Sequence, residues 1–219
     1  MIIAKKPSPN FDSRDGQAID MLVLHYTGMQ SGEAALARLC DESAKVSAHY
    51  MVNEDGSIFQ LVDENERAWH AGASYWRGNS NINQRSIGIE IVNKGHEFGY
   101  CPFPGVQMEA VAELCWGIIA RHKIPSRNVV GHSDIAPTRK KDPGELFDWK
   151  LLASKGIGLF PLQTTSNQQP AIALNQYGYD LTDPEKAIIA FQRHFRPQNL
   201  EGYWDEECAK LLAALLEVV

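Results

Sequence analysis

The pattern of apolar and polar positions predicts a series of short strands and helices in the longer, N-terminal part of the chain. A continuous apolar run that ends at His25 is typical of a strand buried on both faces. Residues 32–40 predict a helix, and two β-rich runs around Asp55 and Gly56 predict a hairpin. Residues 127–134 return to a strand, so these segments together predict a sheet.

A clean alternation of side chains marks the stretch RSIGIEIVN, residues 85–93. Because successive strand residues point to opposite faces, the isoleucines at 87, 89 and 91 share one face. Glu90 lies on the other face, in the middle of the strand. A carboxylate is therefore expected on the less apolar side of the sheet.

A helix of about four turns is predicted next, because apolar residues recur at helical spacing. These residues are Met108, Val111, Cys115, Ile118 and Ile119. Strands and helices thus alternate along the chain. This order predicts an α/β (α+β) fold with a central mixed sheet flanked by helices.

The composition changes near residue 161. Residues 161–173 are rich in Thr, Ser, Asn, Gln and Pro without an apolar period, as in a linker. A capping box from Thr182 to Glu185 then opens a helix, and a second amphipathic helix follows in residues 205–216. We predict one domain at residues 1–160, a linker at 161–169 and a helical domain at 170–219.

Charge and hydropathy exclude several kinds of partner. The 219 residues carry a formal net charge of -6, which gives no basic face for nucleic acid or an anionic membrane. No stretch approaches the roughly 20 apolar residues of a membrane span, so no membrane insertion is expected. The first residues lack the pattern of a secretory signal, which predicts a cytoplasmic protein, or a periplasmic one if an export signal precedes this sequence.

The four cysteines do not suggest a cysteine-based site. Cys40, Cys101, Cys115 and Cys208 are far apart and form no CxxC pair. This argues against both a disulfide framework and a thiolate zinc site.

Three other polar residues are candidate metal ligands. His25 and His132 each end a predicted buried strand, and Asp142 follows ten residues after His132 in a loop stiffened by prolines. Two imidazoles and one carboxylate suit zinc and leave a fourth position open for water. On spacing alone, ordinary structural or surface histidines remain the alternative, because no HExxH or HxH motif is present.

Five motifs in order resemble a known family. They are VLHYTG, SAHYMVNEDGSIFQLV, AWHAG, SIGIEIVN and GHSDIAPTRKKDPGELF. Together they resemble the zinc-dependent N-acetylmuramoyl-L-alanine amidases of the amidase_2 type, the AmpD and AmiD group, which are related to phage T7 lysozyme and the peptidoglycan recognition proteins. The resemblance covers about residues 5 to 160, and it implies a mixed, mostly antiparallel central sheet flanked by helices.

The resemblance implies a site and a reaction. The family's zinc ligands fall on His25, His132 and Asp142, its catalytic acid on Glu90 and its catalytic lysine on Lys140. One Zn²⁺ per chain would activate a water to hydrolyse the amide between the lactyl group of N-acetylmuramic acid and the L-alanine of the stem peptide. Peptidoglycan or a muropeptide would be the substrate.

Four further residues are candidates for substrate contact: His70, Tyr50, Trp76 and Arg139. For His70 the alternative is a structural histidine beside Trp69, and for Tyr50 the site-lining residue could instead be His49. Trp76 could stack on sugar or be an ordinary buried tryptophan. Arg139, with Lys141, could bind stem-peptide carboxylates or be a solvated charge.

The helical segment resembles the three-helix peptidoglycan-binding domain of cell-wall hydrolases, with a packing appendage as the alternative. The sequence therefore predicts a zinc amidase of peptidoglycan. One alternative is a cytoplasmic recycling amidase restricted to 1,6-anhydro-muropeptides, and another is a non-catalytic peptidoglycan recognition protein. A zinc peptidase that cuts within the stem peptide is a further alternative.

Overall fold

The computed structural model describes residues 2–161 and 166–218. Its strands are β1 (Ile3–Lys5), β2 (Phe11–Ser13), β3 (Met21–Tyr26), β4 (Tyr50–Val52), β5 (Ile58–Gln60), β6 (Glu66–Ala68), β7 (Ser86–Ile91) and β8 (Val129–Gly131). Its helices are α1 (Gly32–Leu39), α2 (Ile82–Arg85), α3 (Gly95–Phe98), α4 (Gly105–His122), α5 (His132–Ile135), α6 (Trp149–Ser154), α7 (Leu174–Tyr177), α8 (Pro184–Phe195) and α9 (Glu206–Glu217). Short 3₁₀ turns occur at Glu42–Ala44, Ser126–Asn128 and Ala171–Ala173.

Six strands form a central mixed sheet in the order β1-β5-β4-β7-β3-β8, and β2 pairs with β6 apart from it. The predicted α/β fold with a helix-flanked mixed sheet is confirmed. The prediction of a mostly antiparallel sheet is wrong: within the described residues of the large sheet, only β4 and β5 pair antiparallel. Helical crossovers return the chain to the same end before β4 and β8, so these strands run parallel to β3 and β7. The tight turn at Gly56 reverses direction and makes the predicted hairpin.

The two faces of the sheet are covered by different elements. On the first face, Leu22 and Leu24 of β3 and the isoleucines of β7 pack beneath α4 and α6 in one apolar cluster. On the second face, Met21, Val23 and Val130 pack against loops and the C-terminal helices. Both periodicity predictions, the alternation in β7 and the buried stripe of α4, are confirmed by this packing.

The C-terminal helices α7, α8 and α9 surround the buried side chains of Tyr179, Phe191 and Leu212. The same apolar cluster continues into Trp76 and Val23, so these helices pack directly against the second face of the sheet. Asp183 caps α8 by accepting from the Lys186 N–H, one residue after the predicted Thr182. Residues 162–165 of the predicted linker lie outside the described residues, and the domain division stays a prediction.

No helix in the described part of the chain has the length and apolar character needed to cross a bilayer.

Candidate active site and metal centre

The candidate site lies at the carboxyl ends of three adjacent parallel strands. His25 in β3 is the register partner of Glu90 in β7, so both side chains lie side by side on the second face. His132 follows directly after β8 on the other side of β3, and Asp142 lies in the loop beyond α5. Carboxyl ends of parallel strands are where open α/β sheets place their ligands.

Three side-chain atoms converge there. The Nδ1 atoms of His25 and His132 are 2.8 Å apart, and each lies 3.0 Å from Oδ2 of Asp142. All three residues are buried. Ligand atoms at about 2.0–2.2 Å from one small cation stand at comparable separations, so the cluster is consistent with a metal ion.

The hydrogen bond on the far side of His132 fixes its tautomer. Nε2 of His132 lies 3.0 Å from the carbonyl oxygen of Ala71. A carbonyl only accepts, so Nε2 carries the proton and donates it. Nδ1 of the neutral ring therefore directs a lone pair at the centre of the cluster, as a metal ligand must.

A series of three hydrogen bonds fixes the tautomer of His25. The Ser86 hydroxyl donates to the carbonyl of Ile82 at 2.7 Å, so its oxygen accepts from Nε2–H of His70 at 3.1 Å. Nδ1 of His70 is then an acceptor, and Nε2–H of His25 donates to it at 3.0 Å. His25 consequently also presents the Nδ1 lone pair to the cluster, and partners of this kind orient metal-binding histidines.

The surroundings of His25 and Asp142 support a neutral imidazole on His25 beside an ionised carboxylate on Asp142. Burial, followed by the neighbouring His132, lowers the pKa of His25 to about 4. Burial alone would raise the pKa of Asp142, but the adjacent His132 and His25 hold it well below its ordinary value. Neutral imidazole and charged carboxylate are the protonation states that bind a cation.

Glu90 has different surroundings. Its Oε2 is buried and has no hydrogen-bond partner among the described residues. Burial, and secondly the charge of Asp142, raise the pKa of Glu90 well above its ordinary value, with Lys140 opposing. A carboxyl group in a cleft whose pKa is raised in this way is suited to exchanging protons near neutral pH.

The cleft beside these residues has a volume of about 430 Å³ and also contains Lys140 and Arg139 in its walls. The guanidinium of Arg139 donates to the carbonyls of Ala71 and Ala73, at 2.9 and 3.0 Å, so it braces that loop while facing the cleft. His70 also lines the cleft, although both of its ring nitrogens bond to protein groups.

Two predicted substrate contacts are not brought to the cleft. Tyr50 is buried on the first face, where its hydroxyl donates to Glu64 at 2.7 Å, because strand alternation turns it away from His49. Trp76 is fully buried beneath the C-terminal helices, with its ring against Tyr177 and Tyr179. Both predictions of substrate contact are corrected by this burial.

Other residues of the cleft were not predicted from the sequence. Trp69 and Tyr26 are aromatic side chains in its wall, and His96 lies beside them. Nδ1 of His96 is 2.9 Å from the Tyr26 hydroxyl, and its ring stacks on Tyr100. No periodic pattern marks these positions as one site, because Tyr26 ends β3, Trp69 follows β6 and His96 lies in α3. Only the position of Trp69 beside His70 in the AWHAG motif could have signalled its role.

His49, the alternative to Tyr50, is fully buried, and its Nδ1 accepts from the Gly88 N–H, so its role is structural.

The fold and this cluster define an enzyme-like cleft with a metal-binding donor set at the end of a mixed sheet. A family model, Amidase_2, N-acetylmuramoyl-L-alanine amidase, matches residues 15–145. The chain belongs to this family, and the family predicted from the motifs is confirmed.

Individual relatives agree with the family match. AmiD, an N-acetylmuramoyl-L-alanine amidase of Escherichia coli K12, is 40% identical over 91% of this chain and 83% of its own. AmpD, the 1,6-anhydro-N-acetylmuramyl-L-alanine amidase of the same strain, is 35% identical over 68% of this chain and 91% of its own.

Solved structures extend the likeness to the whole chain. A complex of Escherichia coli AmiD with the substrate anhydro-N-acetylmuramic acid-L-Ala-D-γ-Glu-L-Lys has a TM-score of 0.82 at 37% identity, covering 97% of this chain and 93% of that one. Pseudomonas aeruginosa AmpDh3 in complex with anhydromuramic pentapeptide has a TM-score of 0.81 at 33% identity, covering 97% and 95%. The C-terminal helices therefore lie within the region of similarity.

Proposed function

We propose that this enzyme hydrolyses the amide bond between the lactyl group of N-acetylmuramic acid and the L-alanine of the stem peptide. The observation that carries the proposal is the convergence of His25, His132 and Asp142 beside Glu90 in one cleft. The family match and the muropeptide ligands of the solved relatives support the choice of bond.

We assign Zn²⁺ as the cation, held by Nδ1 of His25, Nδ1 of His132 and one oxygen of Asp142. Two imidazole nitrogens and one carboxylate oxygen are a common donor set of catalytic zinc, which keeps a fourth position open. When bound, zinc lowers the pKa of a water ligand to about 7 and polarises the amide carbonyl.

Glu90 is the proton carrier of the reaction. It takes a proton from the attacking water as the new C–O bond forms, and it delivers that proton to the alanine nitrogen as the C–N bond breaks. Its position next to His25 in the sheet holds the carboxyl group against the reacting centre. Lys140, whose cationic side chain lines the same cleft, stabilises the oxyanion that develops on the carbonyl oxygen when water attacks the carbonyl carbon.

The outer cleft binds the rest of the substrate. Arg139 and Lys141 provide positive charge for stem-peptide carboxylates. Trp69 takes the place of Trp76 as the aromatic surface available to the sugar, because it lies in the wall of the cleft.

Substrate size separates two versions of this activity. Soluble 1,6-anhydro-muropeptides would place the enzyme in cytoplasmic wall recycling, and polymeric peptidoglycan would place it in the periplasm. We favour a substrate range that includes anhydro-muropeptides, since both solved relatives hold such ligands. The C-terminal helices add wall binding, through which tethering raises the local concentration of enzyme on polymer.

The test is to incubate the zinc-loaded protein with intact sacculi and, in parallel, with an anhydro-muropeptide, followed by mass spectrometry of the products. Release of a free stem peptide that begins with alanine is expected from at least the soluble substrate. Products cut within the stem peptide would identify a peptidase instead. Binding of either substrate without any new ends would identify a non-catalytic recognition protein.

A further inference from the structure

A buried carboxylate connects the C-terminal helices to the loop that carries two candidate ligands. Asp134 lies on α5, two residues after His132, and is 1% exposed. Its Oδ2 accepts from the main-chain N–H of Gly131 at 2.7 Å, which closes the turn between β8 and α5. A buried carboxylate needs further donors to offset the loss of hydration.

Those further donors come from the C-terminal segment: Tyr179 lies between α7 and α8, and His194 lies in α8. The Tyr179 hydroxyl donates to Oδ1 of Asp134 at 2.7 Å, and Nδ1 of His194 lies 2.8 Å from Oδ2. Nε2 of His194 has no partner among the described residues, whereas Nδ1 faces a carboxylate oxygen, so Nδ1 carries a proton and donates it to Asp134. Among the described residues, two of the three donors to Asp134 are thus supplied from beyond residue 170.

The ring of His194 is itself firmly held. It stacks on Trp149 with the centroids 3.8 Å apart and on Phe195 at 4.0 Å. The donor therefore has little freedom to move away from Asp134, and its position is set by packing as well as by the hydrogen bond.

Asp134 is in turn connected to both candidate ligands on its loop. His132 is in the same short helix, and the Ser133 N–H donates to the main-chain oxygen of Asp142 at 2.8 Å. A shift of Asp134 would therefore displace the two segments that present His132 and Asp142 to the cluster.

A second contact joins the helices to the wall of the cleft. Nε of Arg193 in α8 lies 3.4 Å from Oε2 of Glu145, and Glu145 pairs with His96 at 3.1 Å. His96 contacts the Tyr26 hydroxyl in the cleft. Helix α8 thus supports the site from two directions.

We propose that the C-terminal helices position the metal ligands, with Tyr179 and His194 as positioning residues that hold Asp134 and, through it, the loop of His132 and Asp142. This role is separate from wall binding, and it rests on the proposed function because it takes these residues as ligands. It predicts that removing either donor weakens metal binding without touching the cluster itself.

The test uses the full-length protein, stripped of metal and titrated with Zn²⁺ against a chromophoric chelator. Tyr179→Phe and His194→Leu are each expected to weaken Zn²⁺ binding about threefold to tenfold, somewhat less than the roughly 10–100-fold loss typical of a direct partner of a ligand. The visible spectrum of the Co²⁺-loaded variants should differ from that of the wild type, because the ligand geometry changes. His194→Asn, which keeps an N–H near the position of Nδ1, should restore most of the affinity.

Two control variants separate positioning from stability. Tyr177→Phe removes a hydroxyl from the same helical core that is not among the groups bonded to Asp134 in the described chain, and it should bind Zn²⁺ as the wild type does. Leu212→Ala opens a cavity in α9 and lowers Tm while leaving Asp134 and its donors in place.

Three results would overturn the proposal. Wild-type Zn²⁺ affinity and Co²⁺ spectra in both Tyr179→Phe and His194→Leu would reduce the contact to packing. An equal loss of affinity in Leu212→Ala at matched Tm would assign the effect to general destabilisation. A wild-type protein that binds no Zn²⁺ would remove the proposed metal function and this inference with it.

Discussion

The two faces of strands β3 and β7 are built from alternate residues of the same segments, yet one face belongs to the apolar core and the other carries the candidate site. The first face presents Leu24 and Ile89 to α4, and its cluster consists of buried apolar side chains. The second face carries His25 and Glu90 at the same level of the sheet. Because alternation places one set of side chains in each environment, a six-residue strand holds both part of the core and part of the site.

The two faces differ in the interactions that determine the positions of their side chains. Apolar packing tolerates conservative exchange, since its free energy depends mainly on buried area and volume. The polar face depends on donors and acceptors that match one by one, as in the chain from Ile82 through Ser86 and His70 to His25. Small changes on the second face should therefore alter metal binding and turnover, whereas comparable changes on the first should alter only stability.

The largest effect is expected from loss of a ligand. His132→Ala removes one of three donor atoms and leaves an incomplete site, so Zn²⁺ should be lost and activity abolished. Elemental analysis of the purified variant and the muropeptide assay measure both. Chelation of the wild type should have the same effect on activity, with recovery on adding Zn²⁺ back. Stoichiometric zinc in His25→Ala, His132→Ala and Asp142→Ala alike would refute the ligand assignment.

Glu90→Gln should have the next largest effect. The amide is nearly isosteric and keeps the fold and the metal, but it cannot carry a proton, so kcat should fall by about 10² to 10⁴. The matched variant one position away, Ile89→Val on the first face, should keep kcat and lose about 0.5–1.5 kcal/mol of unfolding free energy. Near wild-type turnover of Glu90→Gln at full zinc occupancy would reduce Glu90 to a structural residue.

Most strands of this sheet could be predicted from the sequence because each one shows a local pattern of apolar and polar residues. The alternation around Glu90 and the apolar run before His25 gave the strands, and Asp55–Gly56 gave the hairpin. Strand direction could not be predicted in the same way, because it depends on which end of the sheet each crossover returns to. The prediction of a mostly antiparallel sheet came from the family resemblance, and it was wrong because most strand pairs of the described sheet are parallel.

The site was predictable only where a motif marked it. His25, His132 and Asp142 lie in the motifs that carry the family resemblance, and they converge as expected. The roles of Ser86 and Asp134 depend on hydrogen bonds between distant segments, which no spacing encodes. Trp76 was misassigned as a surface for sugar because its cover comes from Tyr177 and other residues about a hundred positions later.

Gly88→Ala should disturb the second face because there is no room for the added methyl group. A Cβ at residue 88 would lie 2.4 Å from Cγ of His70, so the ring must move and its hydrogen bond to His25 must distort. The cost should be about 1–3 kcal/mol of unfolding free energy, the usual range for overpacking, together with weaker Zn²⁺ binding. Thermal melts and chelator competition measure the two effects.

The matched glycine control lies beneath the first face. Gly117 is inside α4, where an added Cβ meets only the flexible end of Arg121 at 3.2 Å. Gly117→Ala should stabilise the protein by up to about 1 kcal/mol through helix propensity and leave Zn²⁺ affinity unchanged. Equal behaviour of the two alanine variants would contradict the distinction between the faces.

Ser86→Ala should have the smallest effect, because it removes one atom two steps from the cluster. Without the Ser86 oxygen, Nε2–H of His70 loses its acceptor, and the tautomer that accepts from His25 is no longer enforced. Zn²⁺ affinity should fall by about threefold to tenfold, at or below the lower end of the range for partners of metal ligands. The control is Ser154→Ala, whose hydroxyl bonds within α6 on the exposed surface and should change nothing. If Ser86→Ala binds Zn²⁺ as tightly as Ser154→Ala, the orientation of His25 depends on packing around His70 rather than on the hydrogen-bond chain.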